Sequence, residues 1–145
     1  MFEVASMILH LSTPSYVETQ VVLPLRIAHE VKTSGQIGGT IHIEPNDRPV
    51  AGKKTRIWVA LTRRGGEIIP YDKCNCIMEV RSLTNRNIQF QLQNSFSIIE
   101  ELLSLPSKEV IFPEVGRYEL KLVGSAKRGE DFPPFALTFT TNVGR

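Results

Sequence analysis

The sequence predicts an all-β fold: an antiparallel β-sandwich with Greek-key connections and one short helix, with a closed barrel as the second choice. Three observations carry that expectation. Apolar residues recur at every second position in one segment after another, which is the period of a half-buried strand. Clusters of Gly, Pro, Asn and Asp interrupt those segments roughly every dozen residues, too often for helices to fit between parallel strands. The run IFPEVGRYELKLV at 111–123 sets Gly116 at a bend and Tyr118 at the head of an alternating stretch. Greek-key sandwiches use a tyrosine in that position to tie a loop to a strand. The Tyr118 ring is therefore expected to pack inward while its hydroxyl bonds a loop carbonyl, a structural role that keeps it out of the candidate site.

Taken in chain order, residues 1–28 come first. Their apolar patches, Val4 to Leu11 and Val21 to Leu25, are separated by Ser12, Pro14 and Glu18, and no Lys or Arg precedes Arg26. A secretory signal has a basic start and one unbroken apolar run. This segment is read as a leader or degraded signal-like stretch, with export cleavage after Ala28 or a genuine N-terminal element as the other options. The packed domain is expected at 29–145.

Within that domain, Ile41 and Ile43 face one way and Thr40, His42 and Glu44 the other. The turn formers from Glu44 to Gly52 end that strand. Ile57, Val59 and Leu61 point inward in the next, against Arg56, Trp58 and Ala60. Gly65 and Gly66 supply a hairpin turn, and Ile68 and Ile69 begin a short return that Pro70 stops. Cys74, Cys76, Met78 and Val80 alternate again, as do Ile88, Phe90 and Leu92. Ser97 and Glu100 form a capping box for a short helix ended by Pro106, with Ile98, Ile99, Leu102 and Leu103 on one side. Tyr118, Leu120 and Leu122 share a face, and Phe135, Leu137, Phe139 and Val143 close the pattern. Most strands are apolar on one face only, which argues against a buried parallel sheet.

Composition bounds the function. The chain has 145 residues, of which 41% are hydrophobic and 22% charged, with a net charge of +2. That length suits one core. The charge is too mild and too dispersed for a nucleic-acid partner. No apolar run approaches the roughly 18 residues of a transmembrane helix, and two cysteines do not make a disulfide framework. There is no Gly-rich phosphate loop, nucleophile elbow or His-Glu-x-x-His helix. Glu100 and Glu101 are neighbours that point apart on a helix. The expectation is a domain that is not an enzyme.

A resemblance rests on HEVKTSG at 29–35, HIEPND at 42–47, Ala51-Gly52, WVALT at 58–62 with Gly65-Gly66, Cys74-Asn-Cys76, and FPEVGRYEL at 112–120. On these residues the region from His29 to Val143 resembles uncharacterised extracytoplasmic Ig-like domains of cyanobacteria. More distantly it is similar to small periplasmic Ig-like modules, including CopC-like copper carriers. The resemblance implies an Ig-like sandwich in the periplasm or thylakoid lumen, with no activity attached. It also implies a signal peptide before the Ala28–His29 junction, which this leader does not match; without export the protein would be cytoplasmic. The Asn- and Gln-rich stretch between Val80 and Val110 departs from the relatives as well.

Three sets of residues are candidates for chemistry. If the chain is cut after Ala28, the free amine and imidazole of His29 chelate copper in the manner of CopC-like domains, with His42 and Asp47 completing a nitrogen and oxygen set suited to Cu(II); the plainer reading is solvated histidines with no metal. Cys74 and Cys76 share the inward face. In an extended strand their Cα atoms lie about 6.5–7 Å apart, at the edge of disulfide geometry. They are buried thiols, a redox-active or strained disulfide, or a thiolate metal site. Arg63 and Arg64 at the hairpin tip offer a dock for an acidic partner or anionic headgroups, or else blunt an edge. Trp58 is either an interface anchor on the sheet surface or the inter-sheet core tryptophan. The functional expectation is a non-enzymatic binding or accessory role toward a protein partner or membrane-associated assembly. A periplasmic copper carrier and a thiol-redox protein are the alternatives.

Overall fold

The computed structural model describes residues 30–92 and 107–145. Within them eight strands form two sheets. β1 (Val31–Ser34), β2 (Ile37–Glu44), β3 (Lys54–Arg63) and β6 (Ser107–Ile111) make one, in the order β1-β2-β3-β6. β4 (Cys74–Ser82), β5 (Gln89–Leu92), β7 (Gly116–Ala126) and β8 (Phe135–Val143) make the other, in the order β5-β4-β7-β8. All neighbouring pairs are antiparallel, and the chain changes sheets after β3, β5 and β6. The architecture is the expected sandwich and not a barrel. The helix anticipated after Ser97 falls outside the described residues, as does the whole of 1–29.

Alternation builds the core as the sequence predicts. Ile37, Ile41, Ile43, Ile57, Val59 and Leu61 from the first sheet meet Cys74, Cys76, Val80, Leu120, Leu122, Leu137 and Phe139 from the second, all buried. Each large aliphatic or aromatic side chain so buried contributes about 1.5–3 kcal/mol of transfer free energy. Gly39 belongs to the same inward face of β2. A Cβ there would lie 2.5 Å from Leu137 Cδ1 and 3.3 Å from Val59 Cγ1, so the missing side chain is what lets β2 and β8 approach.

Two strands carry no alternating signature. β1 is exposed along nearly its whole length, with Val31 62% accessible. β6 buries Val110 but leaves Ile111 exposed. Both are edge strands, held by backbone pairing on one side, so their composition need not alternate.

The free edge of β8 is covered from the opposite sheet. The Thr140 N–H donates to Glu30 Oε2 at 3.0 Å and the Ala136 N–H to Ser34 Oγ at 3.4 Å. Beyond them, Ala51 N–H donates to the Gly144 carbonyl and Gly144 N–H to that of Pro49, each at 2.9 Å. Side chains and one short bridge thus protect an edge that would otherwise template further pairing.

The tyrosine corner forms as expected. Tyr118 is fully buried, its hydroxyl donates to the Glu114 carbonyl at 2.9 Å, and its ring meets Phe112 edge-on at 4.9 Å between centroids. The hairpin at Gly65 and Gly66 also forms, with both residues at positive φ, and Thr62 bridges Ile68 across it.

Candidate functional site

The outer face of the β1-β2-β3-β6 sheet carries two of the sequence candidates, His42 and Trp58. Because Ile41 and Ile43 face the core, His42 projects outward between them. Trp58 does the same between Ile57 and Val59 of β3. The register sets His42 directly across from Trp58. Their rings stack with centroids 3.5 Å apart and planes within 7°. Of the two placements open for Trp58, the structure adopts the surface one.

Two rungs along the ladder, on the same face, Glu44 faces Arg56, which in turn faces Glu109 of β6. Arg56 Nη1 lies 3.7 Å from Glu44 Oε2, and Lys54 Nζ lies 3.5 Å from Glu109 Oε2. Ion pairs this exposed add little stability. Their effect is to border the stacked pair with charges of both signs. Each ring turns one face to the other, so a planar or cationic group would stack on an outer ring face, and the imidazole is by nature a metal ligand.

Asp47 serves the turn after β2. Asn46 and Asp47 both take positive φ, which brings the Asp47 carboxylate back to accept the Ile43 N–H at 2.8 Å. His29 lies outside the described residues. Among the described residues no group of three or more His, Cys, Asp or Glu side chains is placed to hold a metal ion.

Cys74 and Cys76 are joined as a disulfide, with Cα atoms 5.4 Å apart. That separation is shorter than the extended-strand value, so the first residues of β4 contract while keeping register with Ala126 and Gly124. Both cysteines are fully buried. A Cβ at Gly124 would lie 2.7 Å from Phe135 Cε1 and 2.9 Å from Cys74 Sγ. Disulfide exchange requires a thiolate to reach one of the sulfurs. In the folded chain the two sheets cover both, and the bond sits as a core cross-link.

Arg63 is turned inward and Arg64 outward. The Arg63 guanidinium is 28% exposed and reaches Glu130 Oε2 at 3.4 Å and Glu67 Oε2 at 3.9 Å. It also donates to the Asp131 carbonyl and lies 5.5 Å over the Phe132 ring. Arg63 thereby pins the β3 hairpin to the β7–β8 loop. Arg64 is exposed, its own N–H donating to the Gln36 carbonyl at 2.8 Å. A second surface arginine, Arg81, is held above its ordinary value by the hydrogen bond and then the charge of Glu119, 2.7 Å away.

Two residues important to these arrangements were not singled out in the sequence. Gly124 interrupts a strand, a recognised mark of close backbone approach. Glu30 carried no local signal, because its partner Thr140 is 110 positions away.

No family model matches the chain, and no curated protein matches it. Solved structures do. The fold is similar to FetP of uropathogenic Escherichia coli strain F11, as isolated after recombinant expression in the periplasm, with a TM-score of 0.60 and 12% identity over 81% of this chain and 94% of that one. It is similar to a copper-bound variant of the same FetP, with a TM-score of 0.59 and 11% identity over 80% and 95%. It is also similar to a DUF4426 family protein from Pseudomonas aeruginosa PAO1, with a TM-score of 0.54 and 13% identity over 80% and 94%. Each likeness spans nearly the whole neighbour, and at such low identity it establishes the shared β-sandwich fold.

Proposed function

We propose that this chain is a non-enzymatic, extracytoplasmic binding or accessory domain whose recognition surface is the outer face of β1-β2-β3-β6. The stacked His42–Trp58 pair carries that reading: aromatic residues on the outer side of a sheet are enriched at interface centres. The partner is a protein, free or in a membrane-associated assembly in the periplasm or thylakoid lumen. Location outside the cytoplasm is supported by the oxidised Cys74–Cys76 pair, since disulfides persist in oxidising compartments. The test is fractionation of the native host: the domain should travel with a larger assembly and be released as a monomer by Trp58→Ala. A wild-type protein that is already a partnerless monomer, or a cytosolic one, refutes the reading.

A second reading, copper binding, is supported by His42 on the same face and by the copper-bound FetP variant of like fold. Val31 pairs with Thr40, and the Ile41 N–H donates to the Glu30 carbonyl at 3.1 Å. The reading requires the amine and imidazole of His29 to share one Cu(II) with His42. Trp58 is the chain's single tryptophan and touches His42, so a bound Cu(II) would quench its fluorescence. Protein beginning at His29 should show saturable quenching that His42→Ala weakens at least tenfold. Equal affinity in the two proteins removes the copper reading and leaves the partner-binding one standing.

A further inference from the structure

Where β1 meets β8 the sandwich opens into a cleft of about 390 Å³, a volume within the range of small-ligand sites. Ile41 and Ile43 of β2 give it an apolar floor, Thr140 to Asn142 of β8 form one wall, and Glu30, Asp47 and Arg48 flank the mouth.

The polar groups around the cleft divide into engaged and unengaged. Glu30 accepts the Thr140 N–H on one oxygen and meets the Lys32 ammonium at 2.9 Å on the other. Asp47 Oδ1 accepts the Ile43 N–H. Thr141 differs: it is 8% exposed and sits on the inward parity of β8. Its hydroxyl has no hydrogen-bond partner among the described residues. That hydroxyl lies in the lining of the cleft, where it can donate to a ligand atom. The Arg48 guanidinium likewise has no ion pair among the described residues. In formal charge Lys32 and Arg48 balance Glu30 and Asp47.

We propose that the cleft binds a small monocarboxylate with a short apolar tail. The carboxylate is received by the forked donors of Arg48 and by the Thr141 hydroxyl, and the tail lies on Ile41 and Ile43. A dianion would meet the Asp47 charge without compensation. The site is independent of the His42–Trp58 platform, because Ile41 and Ile43 lie on the opposite face of β2 from His42.

Sodium butyrate is the probe, titrated into the isotope-labelled full chain while amide chemical shifts are followed. Saturating shifts are expected at Ile41, Ile43, Thr140 and Asn142, with the indole N–H of Trp58 unmoved. Arg48→Ala and the isosteric Thr141→Val should each weaken binding about fivefold or more, which corresponds to roughly 1 kcal/mol. Should Thr141→Val fail to fold, the exposed Arg48 variant decides. The proposal is overturned by an absence of saturation up to about 20 mM, by affinities that Arg48→Ala leaves unchanged, or by butylamine moving the same amides at lower concentration than butyrate.

Discussion

Replacing Gly124 by alanine tests whether the contact between β7, the Cys74–Cys76 bond and Phe135 is as tight as the structure has it. The new Cβ would approach Phe135 Cε1 to 2.7 Å and Cys74 Sγ to 2.9 Å. Neither neighbour yields easily: the sulfur is bonded to Cys76, and the Phe135 ring is backed by Phe132 at 6.1 Å between centroids. Overpacking of a filled core costs about 1–3 kcal/mol, and this site belongs in the upper half of that range. Against it stands a gain of about 0.4–1 kcal/mol, since alanine restricts the unfolded chain and Gly124 needs no positive φ. The net expectation is a loss of about 1–2.5 kcal/mol, read from urea unfolding of the oxidised protein at constant slope. Phe135→Leu shortens the obstructing side chain, so in that background the same glycine change should cost at least about 1 kcal/mol less. Gly129→Ala is the control. Its φ is +93° and no atom lies within 4 Å of its Cβ position, so its loss is a backbone effect that Phe135→Leu leaves untouched. A Gly124→Ala protein as stable as wild type, or one whose loss is identical with and without Phe135→Leu, would refute the packing argument.

Other outcomes follow from the same contacts. Tyr118→Phe keeps the ring and strands the Glu114 carbonyl that the hydroxyl bonds at 2.9 Å, which should cost about 1–2 kcal/mol in urea without changing the slope. Thiol titration of the native protein should find no reactive sulfur, and reductant should liberate two thiols in denaturant while leaving the folded bond intact; ready reduction of the native protein would put Cys74 and Cys76 back among redox-active pairs. Arg63→Ala should lower stability by about 1 kcal/mol. It should also speed amide exchange at Glu67 and around Phe132, whereas Arg64→Ala changes neither.

The parts of this fold that were legible in the sequence are those where one face of a strand is buried and the other wet. β2, β3, β4, β7 and β8 each write a period of two, and each buries the residues that the period selects. The Tyr118 corner was legible for a different reason: a bend glycine and a tyrosine two residues on specify a local hydrogen bond that needs no knowledge of distant chain. β1 and β6 were not legible, because an edge strand is fixed by backbone pairing and its side chains are free to be Lys, Thr, Ser or Glu. The same limit governs the candidate sites. Face assignment followed from parity, so His42 was correctly put on the polar side of β2. Its stacking on Trp58 depends on register between two strands, and parity alone leaves register open. The fate of Cys74 and Cys76 turned on a contraction of about 1–1.5 Å from the extended spacing. Gly124 opposite them, where a side chain would strike Phe135 and the sulfur, shows where that contraction is accommodated. Arg63 and Arg64 were indistinguishable as a basic pair, and only the loop carrying Glu130 to Phe132, more than sixty residues away, separates the anchored one from the exposed one. Local chemistry therefore identifies which groups face water, and long-range pairing decides which of those remain available to a partner.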